Sequence, residues 1–182
     1  SGEQSVDSLE LPRQLAQLLL ATRASRKRHP VPGADLENVF TLRTVGNSRA
    51  IREAAAGAER AVVVGAGFIG MEVTASLRQI GKDVTQLHLG RWLFDQLGVE
   101  QLSDELAALY ESKGVELMLG NEVDGFHGNG RVEAVTTKNG RRVEADLAVV
   151  GIGVDPVTDF LEGSGIELEN GIVVNERFET NV

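Results

Sequence analysis

The sequence predicts an α/β fold, a parallel β-sheet with helices between its strands that runs on into an antiparallel β-meander. Three observations carry this. Short apolar strands alternate with helical apolar repeats from Arg60 to Leu119. The apolar period then changes to two over residues 122–144. A glycine-rich turn, Gly65 to Gly70, joins the first of those strands to the first of those helices.

Taken in order, residues 1–10 are polar and serine-rich, and no structure is assigned to them. Residues 15–22, LAQLLLAT, read as a short buried strand, which a solvated basic loop at 23–29 and the PVPG turn from Pro30 to Gly33 then break. Residues 38–44 alternate and read as another strand. Residues 48–56 are helical, with Gly57 as a glycine C-cap. The strand at 60–64 leads to a helix with Ile69, Val73, Leu77 and Ile80 on one face, stopped by Gly81, and then to a strand at 84–89. A second helix puts Leu102, Leu106 and Leu109 on one face, ends at Gly114, and is followed by a strand at 115–119. The meander over 122–144 has turns at Gly128 to Gly130 and Lys138 to Gly140. It replaces the next crossover helix and is expected to cover one face of the sheet. A buried strand at 146–150 completes the parallel set and runs into a glycine-rich turn, and 171–175 reads as a last short strand.

The chain of 182 residues has room for one domain of ordinary size and an extension. Its apolar share of 42% and charged share of 25% are those of a soluble globular protein. No window approaches about 18 uninterrupted apolar residues, so no membrane span is expected. The N-terminus carries no signal-peptide pattern, and a cytoplasmic location is expected. A net charge of −9 argues against a nucleic-acid partner, which needs a basic excess to displace counterions from phosphate. Zero cysteines remove disulfides, thiolate catalysis and cysteine-bound metals from this chain. His29, His88 and His127 show no metal-ligand spacing.

Gly65, Gly67 and Gly70 form G-x-G-x-x-G. The pattern alone is a weak signal, but here it follows an apolar strand and opens a helix within a unit of about 30 residues. That context aims backbone N–H groups and the helix dipole at a pyrophosphate. Gly65 permits the tight turn, Gly67 leaves room for phosphate beside the backbone, and Gly70 lets helix and strand pack closely. The sequence thus predicts a three-layer ββα Rossmann-like dinucleotide-binding fold. In such folds an acid about 20 residues onward bonds the ribose hydroxyls of NAD. This chain has His88 there, with Arg91 near enough to share a 2′-phosphate site. Either His88 and Arg91 read the ribose, or His88 is a surface residue and backbone or water holds it. With no carboxylate to repel a 2′-phosphate, modest discrimination is expected, NAD first and NADP accepted.

These residues resemble the NAD(P)-binding domain of the FAD-dependent pyridine nucleotide–disulfide oxidoreductase superfamily. The segments LLLAT, PVPGADLENVFTLRT, VVVGAGFIGMEV, ADLAVVGIGVDP and ERFETNV stand in family order and at family spacing from Leu18 onward. Within it the chain is similar to the branch of ferredoxin and rubredoxin reductases, apoptosis-inducing-factor-like proteins and the flavoprotein part of nitrite reductase large subunits. The resemblance implies an intact parent that also binds FAD, in a flavin domain absent from this sequence, and that passes hydride from NAD(P)H to FAD and on to ferredoxin, rubredoxin or another electron carrier. It implies that residues 1–44 are a flavin-domain remnant and linker, that 45–156 bind NAD or NADP, and that 157–182 return toward the flavin domain.

Carried onto matching positions, Gly65, Gly67, Phe68, Ile69 and Gly70 would hold the pyrophosphate. Glu72 would sit near the nicotinamide end at the flavin interface, and Ile152 and Gly153 would line the nicotinamide pocket. Glu72 also reads as an acid complementing its helix dipole. Arg23 stands where the family's Ala-Thr-Gly turn has glycine, and Asp155 where relatives often carry a basic or neutral residue. No catalytic side chain and no metal ligand is assigned, because the cofactors do the redox chemistry, and the chain alone is expected to be inactive. The alternative reading is a non-catalytic nucleotide-binding or redox-sensing module.

Overall fold

In the computed structural model the described residues are 18–21, 23–27 and 30–182. The unstructured stretch expected at 1–10, and residues 15–17, 22, 28 and 29 of the expected strand and basic loop, His29 included, lie outside them. The chain divides into two compact units, Ser25–Asp155, and Ser1–Ala24 together with Pro156–Val182.

The larger unit is built on a five-stranded parallel sheet. Its chain order is β1 (Ala24–Arg26), β2 (Val39–Thr41), α1 (Val45–Gly57), β3 (Arg60–Val64), α2 (Phe68–Gln79), β4 (Asp83–His88), α3 (Glu100–Ser112) and β5 (Val115–Leu119). Then come β6 (Val123–His127), β7 (Ala134–Thr137), β8 (Arg142–Glu144), β9 (Leu147–Val150) and β10 (Val154–Pro156). The sheet runs β2-β9-β3-β4-β5, and every neighbouring pair is parallel. Alternate side chains of each inner strand serve opposite faces, which is why β3 and β9 read as unbroken apolar runs. Val62, Val64, Leu87, Met118, Ala148 and Val150 pack under the antiparallel meander β6-β7-β8, against Phe126, Val132 and Val135. On the other face Ala61, Val63, Val84, Leu147 and Val149 meet Ile51 and Ala55 of α1 and Val73 and Leu77 of α2. The result is the expected ββα three-layer arrangement, with β2 as a fifth parallel strand. Fully burying a Val or Leu side chain gives about 1.5–3 kcal/mol each.

The amino edge of the sheet is clasped by Asp146. Its carboxylate accepts from the Glu59 and Arg60 N–H groups at 3.1 and 2.9 Å, and from the Arg60 guanidinium at 2.9 Å. The Arg60 hydrogen bond, with those backbone donors, holds this carboxyl well below the usual range, at about 2.

Several local expectations are corrected. Helix α1 runs through Gly57 and ends at Ala58 in an extended conformation, so Gly57 is no left-handed cap. Ile80 falls just past the end of α2 and is exposed, as is Leu89 past the end of β4. The buried face of α3 is Ser103, Leu106, Ala107 and Tyr110, not the Leu102–Leu109 stripe. Two polar bonds set that phase. Ser103 Oγ accepts from the Leu93 N–H and Tyr110 donates to the Met71 carbonyl, leaving Leu102 and Leu109 in solvent. Leu18 and Leu19 are exposed rather than in a buried strand. The strand forms further on, within the expected basic loop, where β1 pairs with β10 and the Lys27 ammonium lies 3.5 Å from the Asp155 carboxylate. That ion pair gives Asp155 a partner. The strand expected at 38–44 shortens to β2.

In the smaller unit Leu161 is buried, and β11 (Leu168–Glu169) pairs antiparallel with β12 (Gly171–Ile172), the part of 171–175 that forms a strand. The Arg23 carbonyl accepts from the Val157 N–H at 2.8 Å. No helix among the described residues is long and apolar enough to cross a membrane.

Candidate functional site

A cleft of about 650 Å³ opens at the carboxyl ends of the parallel strands, within the size range of small-molecule sites. Its place follows from topology. Strand β3 passes through α2 to β4 on one side, while β9 arrives on the other, so the crevice lies where the strand order reverses.

Gly65 and Gly70 have the tight-turn and close-packing geometry expected of them. Gly65 has φ +105°, and a Cβ there would overlap the Gly151 carbonyl. A Cβ on Gly70 would overlap the Gly65 carbonyl, which fixes the close approach of α2 to the turn. Gly67 is extended, and only the flexible Gln96 side chain comes within 4 Å of where its Cβ would be. It is also the N-cap of α2 and offers no side-chain hydrogen bond. The first N–H groups of α2 and the positive end of its dipole therefore face the cleft with no capping side chain, and no acid stands in the first turn to neutralise them. A diphosphate fits this end of the helix on both counts.

Gln86 braces the loop from below. It is fully buried in β4, and its amide donates to the Gly65 carbonyl at 3.0 Å and to Met71 Sδ at 3.3 Å. A glutamine among strand valines looks like a defect in the sequence. Its function shows only when the Gly65 carbonyl is seen to turn inward.

Of the residues singled out in the sequence, Gly65, Gly67, Phe68, Ile69, His88, Ile152 and Gly153 line the cleft. Gly70 lies behind its wall. Phe68 is 61% exposed at the mouth and stacks edge-to-face on Phe94, ring centres 4.9 Å apart. Because β9 and β4 flank β3, Ile152 and Gly153 stand on one side of the glycine loop and His88 on the other. The structure does not bring Arg91 or Glu72 to this wall. Arg91 is exposed outside it, and Glu72 lines a separate groove with Leu42, Arg52 and Ser76. Burial, and then the nearby Glu72 carboxylate, push the Tyr110 phenol up from its ordinary value.

The residues missed from sequence are Asp95 and Gln96, both on the cleft wall. Asp95 Oδ2 lies 3.2 Å from His88 Nε2. It gets there through a fold-back of the segment after β4. Leu93 is buried, Phe94 is left-handed at φ 52°, and the Phe94 N–H donates to the Ala66 carbonyl at 2.9 Å. The available signal was Gly90, where a Cβ would overlap Asp95 Oδ2 and stand 2.6 Å from His88 Nε2.

Comparison with known proteins agrees with this geometry. The sequence profile of the pyridine nucleotide-disulphide oxidoreductase family matches residues 2–182. The chain is 35% identical over 164 residues to the epsilon subunit of an NADH-dependent phenylglyoxylate dehydrogenase of Aromatoleum evansii, covering 90% of this chain and 39% of that one. It is 37% identical over 164 residues to rhodocoxin reductase of Rhodococcus erythropolis, covering 90% and 38%. The crystal structure of a ferredoxin reductase for the CYP199A2 system of Rhodopseudomonas palustris superposes with a TM-score of 0.83 at 29% identity, covering 88% of this chain and 40% of that one. The chain thus spans about two-fifths of the length of these relatives.

Proposed function

Because this chain belongs to the pyridine nucleotide-disulphide oxidoreductase family, we propose that it is the NAD(P)H-binding domain of an FAD-dependent oxidoreductase that hands electrons from NAD(P)H through flavin to a protein carrier. The observation that carries the reading is the uncapped N-terminus of α2 facing a cleft walled by the glycine loop. The relatives named for rhodocoxin and ferredoxin reduction support a carrier as the final acceptor.

In this reading the amides at the start of α2 bind the diphosphate, and Gly67 leaves room for it. The adenosine ribose lies toward the end of β4 and the nicotinamide toward Ile152 and Gly153. Residues 45–156 supply this site, and Glu72 faces the flavin side. The bound nicotinamide supplies the hydride. The side chains orient it and exclude water, and none of them can accept a hydride. The chain by itself is therefore expected to bind nucleotide without oxidising NADH.

Calorimetric titration with ADP-ribose and with NAD tests this. Both are expected to bind with affinities within roughly tenfold of one another, since most contacts are to the ADP half. Absence of ADP-ribose binding at millimolar concentration would remove the nucleotide reading. NADH oxidation by the flavin-free chain would remove the claim that it only binds.

A further inference from the structure

We propose that Asp95, held in place by His88, reads the adenosine ribose and turns the cleft toward NAD and against NADP. This rests on the nucleotide-binding reading above. The strand-end position that bears an acid in NAD-binding folds is a histidine here, but the structure returns a carboxylate to the same place from seven residues further on.

The pair is built, not incidental. Asp95 Oδ2 meets His88 Nε2 at 3.2 Å, and the absence of a side chain at Gly90 leaves the space in which they meet. The main chain around them is tied down on both sides. The Asn121 N–H donates to the His88 carbonyl at 2.9 Å and the Gly120 N–H to the Gly90 carbonyl at 2.8 Å. Phe94 is bonded to Ala66 of the glycine loop, and the Gly98 N–H closes the turn on the Asp95 carbonyl at 3.1 Å. Asp95 Oδ1 accepts from no other group among the described residues, so it is available to a ribose hydroxyl. The carboxylate is 41% exposed at the wall while its histidine is mostly covered, at 14%. That is the arrangement of a reading group and its support.

The charge of the wall points the same way. Among the described residues no lysine or arginine lines the cleft, whereas Asp95 and Glu122 both do. Lys27 stands beside Gly153, on the opposite side of the glycine loop, and is paired with Asp155. A 2′-phosphate placed at the end of β4 would meet Asp95 with no cation among the described residues of the wall to offset the repulsion. A ribose diol would donate to it. The modest discrimination expected when no carboxylate was seen at the strand end is therefore replaced by a clear preference for NAD.

The test compares ADP-ribose with its 2′-phosphate by calorimetry on the wild-type chain, Asp95→Asn and Asp95→Glu, with circular dichroism to establish that each variant is folded. The wild type is expected to prefer the unphosphorylated ligand by roughly tenfold or more. Asp95→Asn should bring the ratio within about threefold, chiefly by improved binding of the phosphate, and Asp95→Glu should restore the preference. Gly90→Ala, which drives the pair apart while keeping both side chains, should weaken ADP-ribose and narrow the ratio. If the wild type binds ADP-ribose and the ratio is the same in Asp95→Asn, the assignment to Asp95 is overturned while the nucleotide reading stands. If ADP-ribose does not bind at all, both fall.

Discussion

Two strand-to-helix turns at the same edge of the sheet, β2 to α1 and β3 to α2, solve the same electrostatic problem in opposite ways. Each helix begins with unpaired N–H groups and a positive dipole end. At α1 the chain closes the end with its own side chains. Thr44 Oγ1 accepts from the Asn47 N–H at 3.1 Å and Asn47 Oδ1 accepts from the Thr44 N–H at 3.0 Å, a reciprocal capping box. At α2 Gly67 stands where Thr44 does, and nothing caps the helix. The difference teaches where a ligand belongs. An end that satisfies itself is structural, and one left open at the mouth of a cleft is completed by what binds there.

The contrast is broken most severely at Gly65. Gly65→Ala forces a left-handed residue and pushes a methyl into the Gly151 carbonyl, at a combined cost of roughly 3 kcal/mol. Denaturant unfolding reads that cost, and nucleotide binding should be lost with it. Gly67→Asp converts the open end into a capped one. Its side chain meets only Gln96, so the fold should survive with a helix up to about 1 kcal/mol more stable. The carboxylate then takes the diphosphate's place, and ADP-ribose affinity should fall by at least about tenfold. Unchanged affinity would show that the diphosphate binds elsewhere.

Thr44→Ala opens the closed end. It should cost about 1 kcal/mol of stability and leave ADP-ribose affinity within about twofold, because Thr44 does not line the cleft. The smallest effect is expected at the other edge of the sheet. Asp146 is held at about 2, below an unfolded carboxyl, so its contribution is complete above the ordinary carboxylate range and is lost as pH falls through about 2. Asp146→Asn should cost at most about 1 kcal/mol at neutral pH, because the Asp146 carboxylate is 35% and the Arg60 guanidinium 47% exposed and the pair is screened. The gap from wild type should close between about pH 4 and pH 2 in acid unfolding curves.

What was legible in the sequence was what depends on local rules. The parallel strands β3 and β9 showed as apolar runs, the meander as a period of two, and the glycine loop as a turn between a strand and a helix. Gly81 and Gly114 end α2 and α3 in the left-handed conformation, as read. Gly57 did not, because Ala58 leaves the helix in an extended conformation that any residue adopts. The α1 capping box was missed because its third residue is Asn47 rather than an acid. Asp95 was illegible for a deeper reason. Its position depends on a left-handed Phe94, a buried Leu93 and a hydrogen bond that the Leu93 N–H donates to Ser103, three features with no common period. Leu102 and Leu109 misled because two apolar stripes are available on α3, and the bonds that Ser103 accepts and Tyr110 donates choose between them.

Strand β9 sits between β3 and β2, so among the described residues β2 has its parallel neighbour in a segment made much later in synthesis. The Asn38 side chain bonds the Asp146 carbonyl across 108 residues. While β3, β4 and β5 assemble from local crossovers, β2 waits with an open edge, and the all-buried Leu147–Val150 run must find its slot from a distance. A sheet closed by its last parallel strand folds slowly. Until that strand docks, the growing chain carries an apolar slot beside β3 and then a loose apolar strand, the two surfaces through which unfinished copies would bind one another.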